Sequence, residues 1–266
     1  MDRPAHVPRR LALIDASPET SDGRVAHLLA DLEEALHVYE HYSAYAVPLS
    51  EEDRAASDIP MVLPIEHVRW PVTDEESGTS AQCAQPGNTE HMDNDARPGA
   101  SARADESAPP NGAVLPACDS VVVGFQTEGD GVAEPVLNRM RRTAEERLFR
   151  PDARLYAIAV TDAYDAGCVY PSLDVLAELC PSLGMDWSGA LAVGGGDVVM
   201  SQAGTARMGR KRRARSEGTD IVIAAIRSGL CVAAFSRDGL NVVEAKCPLP
   251  RFVYRRASGT LAEHDE

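Results

Sequence analysis

The sequence predicts an α/β protein built on a doubly wound parallel sheet. Three observations point there. Short apolar runs alternate with segments of helical spacing along most of the chain, the pattern of strands joined by helical crossovers. One run, Ser120–Phe125 (SVVVGF), is continuously apolar, as in a strand covered on both faces. Long polar, glycine-bearing loops follow the first, third, fourth and fifth runs, at the strand ends where ligands of such sheets sit.

The first unit is the clearest. The run Leu11–Ala16 stops at Ser17-Pro18, and apolar residues then recur at Val25, Leu28, Leu29, Leu32 and Leu36. This is a strand, a short polar loop and a helix N-terminus. Free backbone N–H groups and the positive end of the helix dipole make such a turn an anion cradle. Ser17, Thr20 and Ser21 add hydroxyl donors to it, and Ser21 or Asp22 can equally be a plain helix cap. Residues 41–49 (HYSAYAVPL) are predicted as the second strand. Within 59–72, three prolines limit the chain to an edge strand or an extended tether.

Residues 73–112 are rich in Asp, Glu, Ser, Ala, Pro and Gly, with too few apolar side chains to offset chain entropy. They are predicted to be a disordered, low-complexity acidic insertion within a single domain spanning 1–266. Strand three follows at 120–125, then a helix over 135–149 and strand four over 154–162. A helix over 171–184 is opened by Pro171 and closed by Gly184. Strand five (189–199) ends in Gly194-Gly195-Gly196, and 219–230 has helical spacing. The stretch from Asn241 is read as extended, with a terminal helical turn from Pro250. Five such strands suit the order 2-1-3-4-5 in a three-layer sandwich.

Composition narrows the function. The formal net charge of −15 over 266 residues argues against nucleic acid or an anionic membrane as the general partner. No stretch approaches the roughly 18–20 apolar residues of a membrane span, and the N-terminal apolar run is too short for a signal-peptide core. A cytoplasmic location is expected. Six cysteines, at 83, 118, 168, 180, 231 and 247, are scattered without a Cys-x-x-Cys pair and read as reduced thiols. The histidines are dispersed too, and His37 and His41 read as solvated or packed side chains. No metal site is expected. The one strongly basic run comprises Arg207, Arg210, Lys211, Arg212, Arg213 and Arg215. It reads first as a solvated face, with a nucleotide 2′-phosphate, another polyanion or the acidic insertion as the alternative partner.

Taken in order, four pieces resemble the flavodoxin-like NAD(P)H-dependent FMN reductase family. They are Ala16-Ser17-Pro18 with Ser21-Asp22-Gly23, similar to the family's phosphate loop, and CDSVVVGFQTEGDGVAEPVLNRM. The other two are LYAIAV leading to Trp187, Gly189 and Gly194–Gly196, and CPLPRFVYRRASG. The resemblance covers about 9–49 and 117–259. It implies a flavodoxin-like fold, an FMN cofactor, NAD(P)H as electron donor, and a small acceptor such as a quinone or flavin, with a homodimer as the candidate assembly. The cofactor residues it implies are Ser17, Pro18, Thr20, Ser21, Asp22 and Gly23 for the phosphate. Gln126, Thr127, Glu128, Gly129, Asp162, Ala163 and Tyr164 would border the ring. No catalytic side chain is implied, because the hydride chemistry belongs to the cofactor.

The departures bear on that reading. Glu19 stands where the family has Arg or Lys, and Gln126 and Glu128 stand where it has a proline and an aromatic residue. The cysteine-bearing segment that many relatives carry before strand three is absent. Two functions remain open: an FMN-dependent oxidoreductase, and a flavodoxin-fold protein with a degenerate flavin site acting as a binding or regulatory module. An electron-carrier flavodoxin is less favoured, because it needs the same flavin contacts.

Overall fold

The computed structural model describes residues 10–18, 22–46, 63–70, 118–127, 134–145 and 149–257. Strands β1 (Leu11–Asp15), β2 (Ile65–Arg69), β3 (Cys118–Thr127), β4 (Phe149–Thr161), β5 (Asp186–Val193) and β6 (Val242–Ala245) form one sheet. Its order is 2-1-3-4-5-6, and every pairing is parallel. Five α-helices accompany it among the described residues: α1 (Arg24–Ala46), α2 (Glu134–Glu145), α3 (Tyr170–Leu179), α4 (Arg213–Ser228) and α5 (Arg251–Ala257). The order is compatible with the flavodoxin-like arrangement.

The alternation of a strand explains the two cores. Leu11 and Leu13 of β1, Val122 of β3, Tyr156, Ile158 and Val160 of β4, and Leu191 and Val193 of β5 lie on one face. They pack against α1 through Leu28, Leu32 and Leu36 and against α4 through Val222, Ile223 and Ile226. The intervening residues, among them Ala12, Ile14, Val121, Val123, Leu155, Ala157 and Ala190, turn to the other face. There they meet Val136 and Met140 of α2 and Leu173 and Leu176 of α3. Both faces of the central strands are therefore dry, which is why these strands read as unbroken apolar runs. Gly124 marks the closest approach of α1, because a Cβ there would lie 2.7 Å from Val25 Cγ1.

Two sequence expectations are corrected. Residues 41–46 belong to α1 and not to a strand. The helix is well nucleated by its packed first turns, so each further residue adds a hydrogen bond at low cost. Tyr39 also gains a partner, with the Arg227 guanidinium of α4 over its ring at 5.9 Å. The place beside β1 goes instead to Ile65–Arg69, whose prolines flank the paired residues and leave their N–H groups free to bond. The second correction is the strand count. Val242–Ala245 pairs in parallel with Ala190–Val193 and makes a sixth strand, where only an extended segment was expected.

Elsewhere the elements keep their order, but β4 starts at Phe149, β5 ends at Val193 and α4 starts at Arg213, each five or six residues from its expected limit. Pro171 sits in the first turn of α3, and Gly184 ends the following 3-10 turn with φ of 68°. The acidic stretch 73–112 lies outside the described residues. No described helix is long and apolar enough to cross a membrane.

Candidate functional site at the carboxyl edge of the sheet

A parallel sheet brings the ends of β1, β3, β4 and β5 to one edge, and the N-terminus of α1 lies there as well. Arg24, the first residue of α1, is the centre of this edge. Its side chain is only 10 % exposed, and three aspartates from different loops surround it. Asp22 Oδ1 accepts from the Arg24 backbone N at 3.2 Å and from Nε at 2.7 Å, while its Oδ2 lies 2.7 Å from Nη2. Asp162, just past β4, accepts from Nη1. Asp197, past the glycine turn after β5, lies 3.8 Å from Nη2.

Further contacts tie this group together. Gln126 Nε2 donates to Asp162 Oδ2 at 3.3 Å. The Tyr254 hydroxyl of α5 faces the Asp162 carbonyl at 2.5 Å and Asp197 Oδ2 at 3.3 Å. Burial and those two carboxylates push the Tyr254 phenol well above its ordinary value, so it stays a donor. Gly196 is required here, because a Cβ would come within 2.6 Å of both Arg24 Nη1 and Asp162 Oδ1. The Arg24 hydrogen bond and charge hold the Asp22 carboxyl below its ordinary value of 3.8.

The residues singled out in the sequence fall into four groups. Asp22, Gln126 and Asp162 converge on Arg24, as described. Ser17 is buried, and both its N–H (3.0 Å) and its hydroxyl (2.5 Å) donate to Asp15 Oδ1. The Ser17 donors of the expected phosphate cradle thus already serve a carboxylate of the chain itself. Gly23 has φ of 79°, the left-handed turn that leads into α1, and Pro18 is half-buried beside it. Thr127 is turned inward, its hydroxyl donating to the Val160 carbonyl at 3.3 Å, so it serves the β3–β4 junction. Ala163 continues from Asp162 and accepts from the Gly195 N–H at 2.7 Å. Tyr164 is half-buried; its hydroxyl donates to the Leu249 carbonyl, and its ring lies 5.6 Å from Tyr254 and 5.8 Å from the Arg251 guanidinium. Glu19, Thr20, Ser21, Glu128 and Gly129 lie outside the described residues.

Sequence reasoning missed Arg24, Asp197 and Tyr254 as a connected group. A signal existed for each: Arg24 directly follows the Asp22-Gly23 pair, Asp197 follows the triple glycine, and Tyr254 ends the CPLPRFVY motif. Nothing in the spacing shows that segments so far apart in the chain meet at one guanidinium.

Chemically, three carboxylates around one guanidinium carry a formal charge of −2. That arrangement opposes a phosphate, whose repulsion in a partly desolvated cleft is poorly screened. Among the described residues, no group of His, Cys, Asp and Glu could hold a metal ion.

A second charged group braces α1 from behind. Asp31 accepts from Arg212 Nη2 at 2.6 Å and lies 3.7 Å from both Arg215 Nη2 and His27 Nε2. Burial, together with the nearby guanidiniums of Arg215 and Arg212, holds the His27 imidazole below its ordinary value of 6.5 against the pull of Asp31. A folded state that binds a proton less readily than the unfolded chain loses stability as the pH falls through the unfolded value. Stability is therefore expected to decline as the pH falls below 6.5. Denaturant melts at pH 7.5, 6.5 and 5.5 on the native protein and His27→Gln would read it, with the variant flat where the native protein declines. An identical decline in both would assign the loss to other groups.

No protein-family model matches the chain, and comparison with curated proteins returned no match.

Proposed function

We propose that this protein is a flavodoxin-like α/β protein whose carboxyl-edge cleft has lost the phosphate cradle of the FMN reductases it resembles, and that it works as a non-catalytic binding or regulatory module. The observation that carries the reading is the state of Arg24. It is the cation best placed to hold an FMN phosphate, and Asp22, Asp162 and Asp197 already close around it. The Ser17 donors add to this, being engaged by Asp15. A phosphate would have to displace internal carboxylates from both.

A second reading is an FMN-dependent NAD(P)H oxidoreductase that passes electrons to a small acceptor. It is favoured by Tyr164 lying close to the Gly194–Gly196 turn, where a Cβ on Gly194 would meet the Tyr164 carbonyl at 2.7 Å. Glycines there permit close approach of a ring or ribityl chain. A bound flavin would supply the hydride chemistry itself, and the chain would supply position and electrostatics.

The full-length protein, titrated with FMN and followed by flavin fluorescence, separates the two. The module reading expects a colourless preparation and no saturable quenching. Saturable quenching by the native protein, with bleaching of the bound flavin by NADPH, would replace it with the oxidoreductase reading. Glu19→Arg combined with Asp162→Asn turns one negative charge of the loop positive and removes another from the cleft. It is expected to gain FMN affinity by roughly tenfold or more relative to the native protein, about 1.4 kcal/mol.

A further inference from the structure

The basic run 207–215 is not a uniformly solvated face. Arg207 pairs with Asp220, and Arg213 is exposed and bonded to Glu217 at 2.8 Å. Arg212 and Arg215 turn inward, with side chains 8 % and 7 % exposed, and share the single carboxylate of Asp31. Arg212 takes the better share, at 2.6 Å, and its Nη1 donates to the carbonyls of Ala203 and Thr205. Arg215 is left with Nε and Nη2 shut away from solvent and making no hydrogen bond. Two guanidiniums against one carboxylate leave a formal charge of +1 in a buried place, and His27 does not offset it. A buried cation of this kind is costly unless an anion meets it.

The same Arg215 lines a cavity of about 20 Å³ between the end of β5, the turns at 198–202, the first turn of α4 and the 245–248 segment. Lys211, Lys246 and the buried amide side chain of Gln202 share the lining, while Arg24, Asp22, Asp162 and Asp197 do not. The cavity also faces the positive end of α4, a helix whose N-terminus has no side-chain cap. The nearest counter-charge on the lysine side is Glu244, 4.0 Å from Lys246. At one to two waters' worth of space the cavity has no room for an aromatic ring. Its size and charge suit one or two oxygens of a tetrahedral oxyanion group, the rest of which would lie toward the exposed lysines.

We propose that this cavity binds a phosphoryl group, free or as the terminal group of a phosphorylated small molecule, through Arg215, Lys211 and Lys246. Arg215, which lines the cavity, supplies the buried positive charge, and the two exposed lysines offer donors from the solvent side. This site is separate from the Arg24 cleft and stands whichever reading of that cleft holds.

The test uses the full-length protein and inorganic phosphate, added at constant ionic strength against chloride. A ligand that binds only the folded state raises the thermal midpoint in proportion to its occupancy. Phosphate is expected to raise the midpoint and to give a saturable heat by titration calorimetry. Lys211→Ala/Lys246→Ala should weaken binding roughly tenfold, because charge-assisted contacts are the strong ones. Arg213→Ala, a charge removed from the same run but outside the cavity, should leave binding unchanged. Arg215→Met should abolish it; should that variant fail to fold, the double lysine variant decides. NADP⁺ against NAD⁺ distinguishes the sources: a preference for NADP⁺ matching the phosphate effect points to a nucleotide 2′-phosphate, and no preference points to free phosphate or another ester. A phosphate response no larger than that of chloride, or equal affinity in the native protein and the double lysine variant, overturns the proposal.

Discussion

Gly189→Ala is expected to destabilise the protein by about 3 kcal/mol or more, lowering the thermal midpoint by roughly 6–12 °C. Gly189 sits where β5 slips by one residue against β4: Leu155 pairs with Trp187, but Tyr156 pairs with Gly189, so Ser188 is the extra residue of a bulge. The slip sets φ at 118°, which L side chains rarely adopt. It also drives the backbone against the next layer. A Cβ would run into the Asn241 carbonyl and lie 2.6 Å from Val232 Cβ. That carbonyl accepts from the Ala190 N–H at 2.8 Å, just before the first paired residue of β6. A methyl group would therefore push the sixth strand away from the fifth. Gly184→Ala is the comparison, because it shares a positive φ of 68° yet has nothing within 4 Å of an added Cβ. It should cost about 1 kcal/mol, backbone strain alone. Equal losses in the two variants, measured by denaturant melts, would show that the bulge tolerates a side chain.

Arg24→Met should cost about 2–3 kcal/mol. Breaking a fully buried ion pair by removing one partner costs more, about 3–5 kcal/mol. The lower figure applies because the Asp22 and Asp162 side chains are 44 % and 47 % exposed and recover some hydration. The loss has a particular signature. With the guanidinium gone, three carboxylates repel one another, so replacing one of them should restore stability. Arg24→Met with Asp162→Asn is expected to be more stable than Arg24→Met alone, whereas Asp162→Asn alone should destabilise the native protein. Strict additivity in this double-mutant cycle would mean that Arg24 and Asp162 do not interact in solution.

These two residues also show why the sequence could be read only so far. Gly189 was visible as a glycine in a strand, a residue that marks a bulge or a close approach. It marks both, and the close approach is made by Val232 and Asn241, more than 40 positions away. Arg24 was visible only as the residue after a turn. Its role is made by Asp162 and Asp197, and no local spacing relates them to it.

Strand and helix periodicity, by contrast, is a property of each segment alone. A strand covered on both faces must be apolar throughout, and a helix on the sheet must repeat its apolar residues every three to four positions. For that reason the alternation of elements and the parallel sheet were legible from Leu11–Ala16, Ser120–Phe125 and the segments of helical spacing, while the strand order came from the fold type that alternation suggested. The misplaced second strand marks the limit. Residues 41–46 and 65–69 both had enough apolar character to pair with β1, and the choice fell to the segment free of helix continuity. The sixth strand was missed for a related reason: four residues carry little periodicity, and only pairing with β5 makes them a strand. The inward turn of Arg212 and Arg215 from a run of apparently equivalent basic residues is likewise a tertiary outcome. Their sequence neighbours have the same charge, and the packing of α4 on α1, with the Ala203 and Thr205 carbonyls that hold Arg212, brings these two guanidiniums to Asp31 and leaves Arg213 exposed.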